Sequence, residues 1–377
     1  MVNYEIKTFK SILNKYKFID SWFWGRYGIN AYSGCEFACT YCDSRSEKYY
    51  LHDDFARTIY VKEDAPAMLD RRISRARTLL PDVVCLSGAS DPYQPAEKEF
   101  QNTRGCLEVL AKHRYPVHVL TKSELVERDI DLLQQIGADS WATVSFTITC
   151  TQQELASFLE PAAPSPERRF SALTRLRKAG VQAGVNLIPC VPVLGDAPEQ
   201  IARVVQRAAE AGAAYVLFGG GMTMRDRQAD WYLGALQKRY PDAVASTLRA
   251  YDGQWSPEDG YSGQYAPSGN YLGGVHRSFS QAARHFGMAT RISRFLPDDF
   301  RYHNYRIAEV FLNQSNLLRQ QGKPWSNLYW AGQNIQNLKE STADIAARCE
   351  LESIRNVTAE IARRVEKALQ VACSQSP

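Results

Sequence analysis

The chain predicts an α/β fold, a partial (β/α)6 barrel followed by a helical C-terminal appendage, on three observations. Between about residues 83 and 218, short β-rich runs alternate with longer stretches of helical period, the pattern of βα units around a parallel sheet. Gly137, Gly180 and Gly212 fall where several of those helical stretches stop, as C-cap glycines do. After Gly221 the helical pattern continues without strands.

The β-rich runs are Val83–Ser87, Val117–Thr121, Trp141–Thr147, Ala183–Pro189 and Tyr215–Phe218. Between them, Thr103–His113, Ser123–Ile136, Pro166–Ala179 and Pro198–Ala211 carry apolar residues at i, i+3 and i+4, so each presents one apolar face to a sheet. An extended segment at Gly28–Ser33 brings the count to about six units, short of the eight that close a full barrel. The predicted division is an N-terminal extension over 1–27, the partial barrel over 28–221 and a mainly helical region over 222–377. In that last region Ala229–Tyr240, Ser278–Phe286, Tyr305–Gln320 and Thr342–Ala372 read as helices. Tyr251–Gly274 is rich in Gly, Ser and Tyr, which suits a surface crossover or a substrate-covering loop.

With 377 residues, 45% hydrophobic and 23% charged, the chain can bury a full core. No apolar run approaches the ~20 residues that span a bilayer, and the N-terminal stretch lacks the apolar core of a signal peptide, so no membrane partner and a cytoplasmic location are expected. A net charge of +4 is too mild to establish nucleic-acid binding by itself. Aromatic and basic residues do interleave over Arg291–Arg306, a mixture that suits phosphate contacts and base stacking, but Asp298 and Asp299 interrupt it.

Nine cysteines are too few for a disulfide scaffold, and an odd number cannot all pair. Six are scattered singly, whereas Cys35, Cys39 and Cys42 lie within eight residues directly after a predicted strand. Three thiolates on one loop can ligate three irons of a cubane and leave the fourth open to a non-protein ligand. Structural zinc asks for four ligands, and no second cysteine pair exists; His52 is the one nearby addition.

The Cys-x3-Cys-x2-Cys spacing, with Tyr41 directly before the last cysteine, resembles the radical S-adenosylmethionine (SAM) superfamily. Within it, NAYSGC at 30–35, SDPYQPAE at 90–97, TKS at 121–123 and APSPERR at 163–169 resemble the segments of the spore photoproduct lyase-like group, over under half of the chain. The resemblance implies a lyase-like enzyme with a [4Fe-4S] cluster on Cys35, Cys39 and Cys42, to which SAM binds and is cleaved to a hydrogen-abstracting 5′-deoxyadenosyl radical. It implies SAM contacts from Tyr41 near the adenine, Ser90 and Asp91 at the amino group, Lys122 at the carboxylate or ribose, and Ser145 in the same pocket. Arg168 and Arg169 read as surface or interdomain ion-pair residues. The implied partners are a one-electron reductant of flavodoxin or ferredoxin type and, as substrate, damaged or modified nucleic acid. A small molecule or peptide is the alternative substrate, and a non-catalytic iron-sulfur or zinc protein the alternative of another class. One departure stands out: Gly88 occupies the place of the lyase's hydrogen-donor cysteine. Cys85, three residues upstream, is the weak candidate for a radical relay.

Overall fold

A computed structural model describes residues 2–76 and 78–373, apart from the side chains of 371–373. It divides into two compact units, Met1–Lys15 with Tyr27–Ile292, and Tyr16–Arg26 with Ser293–Pro377. No helix among the described residues is long and apolar enough to cross a membrane.

The first unit is built on strands β1 (Asn3–Lys7), β2 (Leu13–Lys15), β3 (Tyr27–Ile29), β4 (Tyr32–Ser33), β5 (Thr58–Lys62), β6 (Val84–Leu86), β7 (Val117–Thr121), β8 (Ala142–Thr147), β9 (Gln182–Leu187) and β10 (Val216–Phe218). Its main sheet runs β10-β9-β8-β7-β6-β3-β2. From β3 to β10 every neighbouring pair is parallel, and only β2 is antiparallel. Six parallel strands that do not close on one another, with β2 added antiparallel beyond β3, are the partial (β/α)6 barrel that the sequence predicts. Alternate strand residues (Val84 and Leu86, Val117 and Val119, Val144 and Phe146, Ala183 and Val185) enter the main core with Leu107, Leu110, Leu173 and Val204 of the crossover helices.

Several expectations need correction. Residues 1–27 are no mere extension: β1 pairs with β5, in parallel, and β5 with β4, in a three-stranded sheet beside the cysteine loop. The barrel unit continues past Gly221 to Ile292, because the later helices complete its surface. Helix Gly269–His285 buries Val275 and Phe279, and the Phe279 ring stacks on Phe218 of β10 at 4.3 Å. Within 251–274 the chain makes a two-stranded hairpin, β11 (Gln254–Ser256) with β12 (Gly260–Ser262), and Tyr251 is fully buried, its hydroxyl donating to the Met222 carbonyl at 2.7 Å. Gly180 and Gly212 take the left-handed conformation of a C-cap, but Gly137 lies inside helix Ile130–Asp139.

The second unit packs helices Arg301–Gln320, Ser326–Ile335, Thr342–Ala347 and Ala359–Cys373 around Ile307, Phe311, Leu328, Ile335, Ile345 and Val365. The stretch read as one helix from Thr342 to Ala372 is therefore two, separated by the turn at Cys349, which has positive φ. Tyr16–Arg26 belongs to this unit: Gln333 donates to the Ile19 carbonyl at 3.1 Å and Arg26 to Asn337 at 2.7 Å.

Candidate active site

The cysteine loop begins where β4 ends. Gly34 holds φ +93°, and a Cβ there would sit 2.6 Å from the Thr58 carbonyl oxygen and 2.7 Å from that of Phe55, so no side chain fits. Cys35 then donates its backbone N–H to Phe55, and two successive turns follow, Ala38 N–H to Cys35 and Cys42 N–H to Cys39. Tight turning places all three thiols on the wall of one cavity of about 280 Å³, together with Tyr41, Asp43, Ser87, Gly88, Ser90, Asp91, Lys122 and Thr147.

Arg45, which the sequence reading passed over, holds this loop from behind. Its guanidinium donates to the carbonyls of Cys39 (3.2 Å) and Ala38 (3.3 Å) and lies between the rings of Phe55 (4.8 Å) and Trp231 (4.0 Å). Asp43 fixes the far end: its carboxylate accepts from Thr223, Tyr49 and Arg225. Burial pushes the Cys35 thiol well up and the Cys39 thiol to about 12, the latter against the pull of the Lys122 ammonium. Among the described residues no three His, Cys, Asp or Glu converge as ligands of a single ion would. A cubane needs a different arrangement, three thiolates around a volume with each facing its own iron, and three thiols lining one cavity suit it.

Of the residues predicted to touch SAM, Tyr41, Ser90, Asp91 and Lys122 line the cavity and Ser145 does not. Ser145 sits mid-strand on β8, fully buried, with its hydroxyl bonded to His118 (2.7 Å) and to Tyr215 (2.8 Å). It closes a polar network inside the sheet. Ser90 donates to the Tyr32 carbonyl at 2.9 Å. Asp91 accepts from the Tyr93 N–H (2.9 Å), the Thr121 hydroxyl (2.7 Å) and the Lys122 N–H (2.8 Å), and so ties the turn after β6 to the end of β7. Burial raises the Asp91 pKa against the pull of Lys122 and these donors.

Lys122 differs from them. Burial works against its ammonium, but Cys39, Glu160 and Asp91 together outweigh that and raise its pKa. The ammonium lies 5.8 Å from the Tyr41 ring centroid, and no side-chain hydrogen bond or ion pair to another described residue satisfies it. A half-buried ammonium with no hydrogen bond or ion pair to another described residue, on the wall of the cavity that the three cysteines line, is a place for a ligand carboxylate. Cys85 lies within β6, buried, opposite Gly28 and His118 in register, and outside the cavity lining. Gly88 is exposed at the cavity; its N–H and that of Ala89 donate to the Asn30 side chain at 2.8 and 3.2 Å.

Arg169 departs most from expectation. Far from lying on the surface, it is 1% exposed and ion-paired to Glu160, which also accepts from the Tyr41 hydroxyl. Its guanidinium donates further to the carbonyls of Pro164 (2.8 Å) and Thr147 (2.9 Å). Arg168, by contrast, is exposed and paired with Glu124. Periodicity gives no sign that the second arginine points inward.

Residues 29–198 match the radical SAM superfamily. Over 230 residues the chain is 30% identical to an uncharacterised protein of Mycobacterium tuberculosis, covering 60% of this chain and 67% of that one. It is 34% identical over 172 residues to one of Methanocaldococcus jannaschii, covering 45% of this chain and 62% of that one. Among solved structures, spore photoproduct lyase complexed with dinucleoside spore photoproduct superposes with a TM-score of 0.57 at 15% identity, over 75% of this chain and 79% of that one. At that identity the likeness speaks for the fold. The chain belongs to the radical SAM superfamily and is a radical SAM enzyme, using a [4Fe-4S] cluster, S-adenosylmethionine and an external electron donor.

Proposed function

We propose that Cys35, Cys39 and Cys42 hold the cluster, that Lys122 faces the SAM carboxylate, and that the enzyme abstracts hydrogen from damaged or modified nucleic acid, with a lyase-like outcome in the cytoplasm. The observation that supports the cofactor assignment is that Lys122, a half-buried cation without an ion pair or hydrogen bond to another described residue, lines the same cavity as the three cysteines. When bound, cluster and SAM supply a hydrogen-abstracting 5′-deoxyadenosyl radical. The chain's own residues prepare the place: Arg45 and Asp43 fix the loop ends, and Asp91 aligns the Lys122 backbone. With its hydroxyl committed to Glu160, Tyr41 offers a ring and backbone to the ligand rather than a hydroxyl.

The substrate class rests on the four sequence segments shared with the lyase-like group, and Gly88 qualifies it. No thiol at that place can return a hydrogen atom to a product radical, and Cys85 lies away from the cavity, so efficient conversion of the spore thymine dimer is not expected. A small-molecule or peptide substrate is favoured by one observation: two arginines of the basic run are consumed internally, Arg301 by Asp299 and Arg294 by Gln336 and the Tyr305 carbonyl. Anaerobic reconstitution tests the first half of the reading. About four irons per chain and 5′-deoxyadenosine under dithionite support it, and neither in a well-folded protein refutes it. Lesion-bearing oligonucleotides, set against undamaged ones in a hydrogen-exchange assay with SAM labelled at the 5′ carbon, test the second.

A further inference from the structure

A cavity of about 390 Å³ lies within the second unit, lined by residues of helices Arg301–Gln320 and Ala359–Cys373, and it shares no lining residue with the cavity of the cysteines. Arg306 and Val310, one turn apart on the first helix, share it with Arg364 and Ala368, one turn apart on the second. Ile307 and Phe311 belong to the core of the unit and close the bottom, so the apolar surface open to a ligand is that of Val310, 54% exposed, with the part-exposed Ala368 and Leu369. Around that surface stand three cations. Arg306 donates to the Tyr302 hydroxyl at 3.3 Å, Arg364 donates to the Gln314 side-chain carbonyl and lies 5.1 Å from the Phe311 ring centroid, and Lys367 is exposed. Those partners are neutral: none of the three cations forms an ion pair with another described residue, and no carboxylate is among the described residues that line the cavity. His303 lines it too, and its Nδ1 is buried with no hydrogen-bond partner among the described residues.

From this we infer that the helical unit carries a binding site for a soluble amphipathic anion, an acyl chain ending in a carboxylate. The volume falls among those of small-ligand sites, which pair a mostly apolar lining with a few polar groups that fix orientation. Charge complementarity selects the anion: three cations that repel one another, with only neutral partners, gain a charge-assisted hydrogen bond from a carboxylate that no group of the wall supplies. The aliphatic wall selects the rest. A bare inorganic anion would leave Val310, Ala368 and Leu369 in water, and a neutral hydrocarbon would bury them while leaving the charges uncompensated. Only a molecule with both parts satisfies both. Arg306 also belongs to the basic run at 291–306, in which Arg294 and Arg301 serve the fold, and the cavity gives this arginine a use other than a nucleic-acid phosphate.

The test is calorimetric titration of the full chain with decanoate kept below its micelle concentration, beside decanol and inorganic phosphate as the two halves of the ligand. Decanoate should bind at one site, and each half should bind at least about tenfold more weakly. Arg306→Gln with Lys367→Gln should raise the decanoate Kd about tenfold or more, with the denaturant midpoint unchanged. Val310→Glu, at an exposed position where the fold is not at stake, should do the same by placing a carboxylate against the ligand's own. The site is overturned if decanoate does not bind the wild type, if decanol or phosphate binds as tightly, or if both variants keep wild-type affinity. It is overturned as well if an oligonucleotide displaces decanoate with a salt slope that the double variant lowers, which would make the cations a phosphate surface. Co-sedimentation of the wild type with anionic vesicles, lost in Val310→Glu, would overturn a soluble ligand in favour of a membrane face.

Discussion

Tyr41, Glu160 and Arg169 form a buried chain in which one carboxylate serves two donors, and the chain joins the cysteine loop to the turn before helix Pro166–Lys178. Removing one member leaves a buried charge without its partner. Arg169→Met should therefore destabilise the fold by about 3–5 kcal/mol, and a denaturant midpoint unchanged from wild type would refute that. Lys122 carries the opposite expectation. Its ammonium makes no hydrogen bond or ion pair with another described residue, so Lys122→Met should leave stability near wild type and weaken SAM binding by about 2–4 kcal/mol, or roughly 30- to 1000-fold, in a titration of reconstituted protein. Asp91→Asn separates positioning from binding: its three accepted bonds point to lost order in the turn and raised thermal lability as well as weaker SAM affinity. Cys39→Ala should remove iron and SAM cleavage together, whereas Cys349→Ala, on an exposed turn of the second unit, should change neither. Of these residues, the cysteines were legible because spacing alone carries their chemistry. Arg169 was not, since inward and outward arginines look alike until the helix has a neighbour.

At the scale of elements, the six parallel strands and their crossover helices could be read because each pairs with a near neighbour and carries its own periodicity. β1 and β5 could not: their partnership joins Asn3–Lys7 to Thr58–Lys62, and neither strand is apolar enough to announce itself. The β11–β12 hairpin is three residues a side with an exposed Gln254, too short and polar for an alternation signal. Helix Arg301–Gln320 shows the reverse problem, a basic pattern in which one arginine has a structural use that the sequence does not reveal. Arg301 is 6% exposed; its backbone N–H and guanidinium both bond to Asp299, which closes the helix's first turn, and the guanidinium lowers the Asp299 pKa against the effect of burial. Arg301→Ala is accordingly expected to lower the stability of the second unit by about 1–3 kcal/mol, measured by chemical denaturation. It should leave nucleic-acid affinity alone.

For the whole molecule, the consequence concerns what can hold a nucleic acid. A protein that neutralises Z phosphates loses affinity with a slope of about −0.9Z in log K against log salt on duplex DNA. This chain has a net charge of +4, and its one conspicuous basic run is partly consumed inside the second unit, with Arg294 lying 4.6 Å from the Trp24 ring and 4.1 Å from that of Tyr305. Few phosphate contacts are therefore available, and a slope shallower than about −4 is expected for any oligonucleotide that binds. If the substrate is a damaged strand, as proposed, its discrimination from an undamaged one must come from the altered base at the cavity beside Gly88, Asp91 and Lys122 rather than from the backbone. Filter-binding or fluorescence titrations at several salt concentrations should give nearly parallel lines for damaged and undamaged strands, the damaged one tighter by a salt-independent factor. Lines that diverge, with a slope that Arg301→Ala reduces by about one unit, would restore the basic run as a phosphate surface. Absent binding to every nucleic acid tried would move the substrate to a small molecule or peptide, with the cofactor chemistry untouched.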